Sequence, residues 1–259
     1  MKMSHLHIQF LVFVMTMTGI SLQSVQAEES LNIVVFGASG RVGEVIVMEA
    51  LERGHKVTGI SRSPETLQFN HPNFTAAFGD MLEVNSIVEL ARGADAIVIS
   101  ISAKASDNIP EHSLIVPVTK NVEEALNTLE TKPYLLQIGS ANLMYGSSFE
   151  EIKANMKDAP FPFEEGTVMH AVLFGHQLSL EMYQASKLAW TILAPPMKIH
   201  GIYKIPDSTT TKATYRTSTS GPIIADDGSK SIYVRDLAKA AVNEIEEKKF
   251  VGQVFTVGY

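Results

Sequence analysis

Three observations predict an α/β fold, a doubly wound parallel sheet with helices on both faces. Short apolar runs rich in Val and Ile alternate with helical patterns along the chain. The first such run, LNIVVF, meets a glycine turn that opens directly into a helical pattern. The chain has 259 residues. About 230 of them follow an N-terminal segment of separate character, enough for one large domain with a full core.

The elements follow in order. Strand character at 32–36 is followed by a helix over 42–53, then by strands at 55–61 (HKVTGIS) and 74–78. A helix is expected over 84–92, and a buried strand over 96–101 (AIVISI). A long helix over 114–129 stops before Lys132-Pro133, because the residue before a proline disfavours the helical region. Strands at 134–138 (YLLQI) and 190–193 flank a mostly helical stretch over 165–187. A helix over 234–248 and a strand over 251–257 (VGQVFTV) complete the pattern. Right-handed crossovers place ligands at the carboxyl ends of such strands. Two long irregular stretches, 139–164 and 195–221, follow strand ends and are expected to wall a substrate site.

The first 27 residues read differently. Lys2 lies in an acid-free start, 8–22 is apolar without a charge, and Val25-Gln26-Ala27 offers small residues before Glu28. That is the layout of a secretory signal peptide, and the apolar core is short of the roughly 20 residues a membrane span requires. The expectation is a cleaved segment 1–27, a mature domain 28–259 and an exported, periplasmic protein without stable membrane insertion. An uncleaved anchor is one alternative. The other is a start assigned too early, at Met15 or Met17, which would make the protein cytoplasmic. A formal net charge of -7 argues against nucleic acid as a partner. The absence of cysteine excludes disulfides, thiolate metal ligands and a cysteine nucleophile.

The richest motif is Gly37-Ala38-Ser39-Gly40-Arg41-Val42-Gly43. Gly37 permits the tight turn, Gly40 lets backbone N–H groups approach a pyrophosphate, and Gly43 lets the helix lie close on the strand. The spacing G-x-x-G-x-x-G between a strand and a helix points to a dinucleotide; a purely structural turn is the plainer alternative. At the end of the second strand an acid would select NAD by bonding the ribose. Here stands Ser61-Arg62-Ser63, which suits a 2′-phosphate and so favours NADP, with NAD a possible second ligand. Asp80, after the third strand, either accepts from an adenine amino group or caps the next helix.

Other candidates are weaker. Tyr183 and Lys187 spell Y-x-x-x-K, an acid/base spacing. Trp190 begins a strand only a few residues later, so Tyr183 is expected near the far end of its helix as part of a surface pair. His170 and His176 are six apart and share no helical face, so no metal signature arises. His200 follows the sixth strand, where it is expected as a solvated loop histidine, with contact to a substrate the alternative.

Taken as an ordered set, GASGRVG at 37–43, SRSP at 61–64, FGD at 78–80, GADAIVISIS at 93–102, QIGSA at 137–141, WTILAPP at 190–196 and IYVRDLAKA at 232–240 resemble a known family. It is the atypical short-chain dehydrogenase/reductases of the NAD(P)H-binding, NmrA-like group, nearest to the flavin reductase (biliverdin reductase B) branch. The resemblance implies a Rossmann fold. It implies that Gly37, Ser39, Gly40, Arg41, Val42 and Gly43 hold the pyrophosphate and Arg62 the 2′-phosphate. Asp80 and Met81 would border the adenine, and Ile101 and Ser102 would lie along the cofactor. Ser140 would stand beside nicotinamide and substrate as the catalytic candidate, with Pro195 and Pro196 lining that pocket. Two positions depart: Ala194 stands where many relatives have arginine, and Met197 where the flavin reductase has histidine. The expected activity is NADPH-dependent reduction of a small conjugated acceptor, a flavin or quinone. The alternative is a non-catalytic NAD(P)-binding sensor.

Overall fold

A computed structural model describes residues 30–156, 164–202, 210–212 and 214–259. The expected signal peptide lies outside the described residues, as do parts of both long loops. The strands are β1 (Asn32–Phe36), β2 (Lys56–Ser61), β3 (Phe74–Phe78), β4 (Ala96–Ile99), β5 (Tyr134–Ile138), β6 (Trp190–Ala194), β7 (Lys198–His200), β8 (Arg216–Ser218), β9 (Ser231–Tyr233) and β10 (Gln253–Gly258). The helices are α1 (Arg41–Glu52), α2 (Val84–Ala91), α3 (Ile115–Thr128), α4 (Phe149–Asn155), α5 (Val168–Ala185) and α6 (Val234–Glu247).

Eight strands form one sheet in the order β3-β2-β1-β4-β5-β6-β10-β8. All pairs are parallel except β10 with β8. The expected doubly wound fold is therefore present. The chain reverses its direction of travel across the sheet between β1 and β4, which opens a crevice at their carboxyl ends. A sheet covered on both faces needs apolar residues at every strand position, and β4 and β5 are buried throughout. Alternate residues of β1 serve opposite cores: Ile33 and Val35 pack with residues of α1 and α6, Val34 and Phe36 with residues of α2, α3 and α5. Arg53, just past α1, clasps α6 through Asn243 and Glu246 at 2.7 and 2.6 Å.

The differences from expectation lie at the carboxyl ends. β4 stops at Ile99, so Ile101 and Ser102 lie in the loop beyond it. The stretch 139–164 is less irregular than its prolines suggest: Ala141–Met144 makes a 3-10 turn, and α4 follows. Ser148 and Glu151 close a capping box at the start of α4, a Ser-x-x-Glu signal legible in the sequence and missed. Between 195 and 221 stand β7 and β8, three residues each and too short to show periodicity. Among the described residues no helix is long and apolar enough to cross a membrane.

Candidate dinucleotide and substrate site

A cleft of about 480 Å³ occupies the crevice between β1 and β4. It brings together Gly37, Ser39, Gly40, Arg62, Asp80, Met81, Ile101 and Ser102, from four separate strand ends. Phe36, Ser100, Lys104 and Leu114 also line it. Lys104 adds a cation that its sequence context did not single out.

The turn after β1 is shaped by glycine where shape demands it. Gly37 has φ +81°, and a Cβ there would collide with the Ser100 carbonyl. That collision marks how closely β1 and β4 approach. A Cβ on Gly43 would strike the Gly37 carbonyl, so α1 lies hard against the turn. Gly40 caps α1 without a side chain, and no side chain accepts from the helix's first turn at that cap. Its N–H groups and the helix dipole therefore face the cleft as an anion site. Arg41 is exposed, Val42 half-buried and Gly43 buried; none of the three lines the cleft by its side chain.

At the end of β2, Ser61 reaches Ser39 of the glycine turn at 3.3 Å and accepts from the Ser63 amide at 3.1 Å. These bonds tie the two turns together. Arg62 between them is exposed, and among the described residues its guanidinium has no hydrogen-bond or ion-pair partner. Asp80 does not cap α2; Glu83 holds that position. Instead Asp80 accepts from the Leu82 amide at 2.9 Å, and the Ser86 hydroxyl accepts from the Asp80 amide at 3.1 Å. The capping alternative is thereby removed.

Ser140, Pro195 and Pro196 lie outside the lining of this cleft, one strand end further along for Ser140 and two for the prolines. Ile138 pairs with Leu193, and the Gly139 amide donates to the Leu193 carbonyl at 2.8 Å. Ser140 and Pro195 therefore emerge side by side. Ser140 begins the 3-10 turn in extended conformation, and its carbonyl accepts from the Leu143 amide at 3.2 Å. Its hydroxyl has no partner among the described residues.

Tyr183 is a correction. It is not part of a surface pair but fully buried, stacked on Trp190, and its hydroxyl donates to Gln137 Oε1 at 2.9 Å. Burial pushes its phenol pKa up, so it stays protonated in the core. Lys187 is exposed. The sequence argument placed Tyr183 on the outer surface; the structure turns it toward Gln137 of β5. His200 also differs from expectation: it belongs to β7 and packs on Tyr233 with ring centroids 5.2 Å apart.

Asp236, in the first turn of α6, is fully buried. It accepts from Thr211, from the Lys212 amide at 2.8 Å and from the Tyr259 hydroxyl at 2.6 Å, so it fastens the stretch after β6 to the last residue of the chain. Burial by itself would raise the carboxyl's pKa; the bonds from Thr211, Tyr259 and Lys212, with Lys239 nearby, outweigh it and hold the pKa below the ordinary range.

The site geometry agrees with a comparison of sequences. The NAD(P)H-binding family's profile matches residues 37–248, nearly the whole described chain. The chain belongs to the NAD(P)H-binding family. It is an NAD(P)H-binding protein of Rossmann fold. The uncharacterized protein YwnB of Bacillus subtilis is 25% identical over 228 residues, covering 88% of this chain and 98% of that one. A crystal structure of a Burkholderia pseudomallei protein, provisionally named as exported, superposes with a TM-score of 0.69 at 26% identity, over 88% of this chain and 100% of that one. A Streptococcus pneumoniae structure, provisionally named an NADH-flavin reductase, gives 0.67 at 22% identity, over 88% and 99%.

Proposed function

We propose that the chain is an NADPH-dependent reductase of a small, planar, conjugated acceptor of flavin or quinone type. The observation that carries this reading is the run of the cleft. It extends from the exposed Arg62 past the glycine turn to Ser102, on the side of the sheet that leads to Ser140. Arg62 would take the 2′-phosphate with Ser61 and Ser63, and Asp80 and Met81 would border the adenine. The turn Gly37, Ser39, Gly40 and the first amides of α1 at Arg41, Val42 and Gly43 would take the pyrophosphate. Ile101 and Ser102 would lie along the dinucleotide, and Ser140, Pro195 and Pro196 would frame the reacting end. When bound, the reduced dinucleotide supplies a hydride. The protein's part is to stack and orient the acceptor and exclude water. The pneumococcal neighbour's name supports a flavin as one acceptor.

Steady-state NADPH oxidation across flavins, quinones, aldehydes and ketones tests the proposal. Flavins and quinones are expected to turn over fastest, and Ser140→Ala to lower turnover roughly tenfold by removing one orienting hydrogen bond. Fastest turnover of simple carbonyls would require a strong acid catalyst and defeat the reading. Tight NADPH binding with no turnover of any acceptor would replace it with a binding sensor.

We also propose export, with a mature chain beginning at Glu28. The charge-free apolar segment supports it, as does the name of the Burkholderia neighbour. Mass spectrometry of the protein from its native compartment reads the N-terminus directly; an intact Met1 in the soluble cytoplasmic fraction contradicts export.

A further inference from the structure

A second cleft, of about 500 Å³, shares no lining residue with the dinucleotide cleft. One of its walls is α5. Ser179 and Tyr183 of that helix turn toward Gln137 of β5. Gln177, Glu181 and Gln184 fall on another side of the helix, form one stripe and line the second cleft. The stripe runs about 10 Å along the helix axis. Hydroxyls reach the cleft from two other places: Ser147, before α4, and Thr219 and Ser220, just past β8. These two segments are neighbours, since a Cβ on Gly221 would stand 3.9 Å from the Met144 carbonyl. Leu143, Met144 and Leu180 add an apolar strip to the lining. Gln177 Oε1 is buried and has no partner among the described residues, so an amide acceptor is left unspent beside the cleft. Among the described residues the lining holds one charge, the Glu181 carboxylate, and no lysine, arginine, histidine or aromatic ring. The dinucleotide cleft differs in kind, with Arg62 and Lys104 in its lining.

We propose that this second cleft binds a neutral sugar, independently of the dinucleotide. The lining decides the class by exclusion and by fit. A carboxylate with no cation beside it repels phosphates and carboxylates. Without an aromatic ring there is no platform for a planar heterocycle or a quaternary ammonium group. What the cleft offers is two side-chain amides that donate and accept, hydroxyls that do both, a carboxylate that only accepts, and an apolar strip. A pyranose has the complementary surface. Its hydroxyls donate and accept around the ring's edge, and its C–H groups give each face an apolar patch. The Glu181 carboxylate and the Gln177 and Gln184 amides would take hydroxyls along the helix, and Ser147, Thr219 and Ser220 would take those that face them. Leu143, Met144 and Leu180 would meet the C–H groups. The volume lies within the range of small-molecule sites. No residue assigned to the dinucleotide or to Ser140's pocket lines this cleft, so the inference stands apart from the reductase reading.

The test titrates the full chain with the methyl glycosides of glucose, galactose and mannose and follows the backbone amide resonances by NMR. At least one glycoside should saturate with a Kd of about 1 mM or tighter, the scale of a few hydrogen bonds and one apolar contact. The shifts should gather at 143–147, 177–184 and 219–221 and leave 37–43 unmoved, and saturating NADP+ should change the sugar's Kd by less than about twofold. Glucose 6-phosphate and glucosamine are the charged probes, and both should bind more weakly than the neutral glucoside. Gln184→Ala and Ser220→Ala change exposed residues, so Tm should hold, while each should weaken sugar binding about threefold to tenfold through one lost hydrogen bond. Glu181→Gln should narrow the gap between glucoside and glucose 6-phosphate, because it removes the charge and keeps the hydrogen-bonding shape. Four results overturn the proposal: no glycoside saturates, a charged probe binds tighter than its neutral parent, the shifts fall on the glycine turn, or the Gln184 and Ser220 variants bind as the unmutated protein does.

Discussion

The two halves of the site are built by different means. Around β1, β2 and β4 the cleft is made of backbone turns, short loops and exposed side chains. Its decisive features are a positive φ at Gly37, a bare cap at Gly40 and an exposed Arg62. Around β5, β6 and α5 the polar groups are buried side chains held by partners distant in sequence: Gln137 with Tyr183, Asn142 with Leu173, Asp236 with Thr211 and Tyr259. The first half recognises a ligand common to many proteins and needs only local geometry. On the proposed reading the second half faces the variable reactant, and its shape depends on long-range contacts that a few substitutions can redirect.

Four experiments would break or sharpen this contrast. The largest effect is expected at Gly37. Gly37→Ala adds a left-handed penalty of about 1–2 kcal/mol to a collision with Ser100, so dinucleotide binding should vanish in calorimetry and Tm should fall by roughly 5–10 °C. Retention of both would mean that the turn is not the rigid element it is taken for.

Next is Asp236, the anchor of the second half. Asp236→Ala should cost about 2–4 kcal/mol in urea unfolding, because it strands the donors at Tyr259 and Lys212. The same residue has a sign in pH. Its folded pKa lies below the ordinary carboxylate value, so its contribution is fully present above the unfolded pKa and is lost as pH falls through the folded one. Asp236→Asn should therefore flatten part of the loss of stability below about pH 4. NADPH affinity should stay within a few-fold in both variants if the halves are independent.

Arg62→Ala should leave stability unchanged and erase most of the preference for NADPH over NADH. The expected change is about 1–3 kcal/mol, roughly fivefold to 150-fold in relative affinity. Equal affinities before mutation would remove the cofactor assignment. The smallest effect is expected at Tyr183. Tyr183→Phe should cost about 1 kcal/mol of stability and leave turnover within a few-fold, because its hydroxyl serves Gln137 in the core. A hundredfold fall in turnover would show that the tyrosine–lysine spacing has a chemical role after all.

The sequence by itself determined the doubly wound parallel sheet and the glycine turn. Those follow from apolar runs of strand length, from the handedness of crossovers and from a residue type that alone tolerates φ near +81°. Arg62 was readable for the same reason, since a short loop leaves a side chain few places to go. Even α4 was within reach, through Ser148 and Glu151. Tertiary structure alone decided what Tyr183 and Asp236 do. Each is a polar residue whose setting is fixed by another element: β5 for Tyr183, and the 210–212 stretch with Tyr259 for Asp236. A local pattern carries the period of a helix but not the identity of what packs against it, and for a buried polar group the partner determines the role.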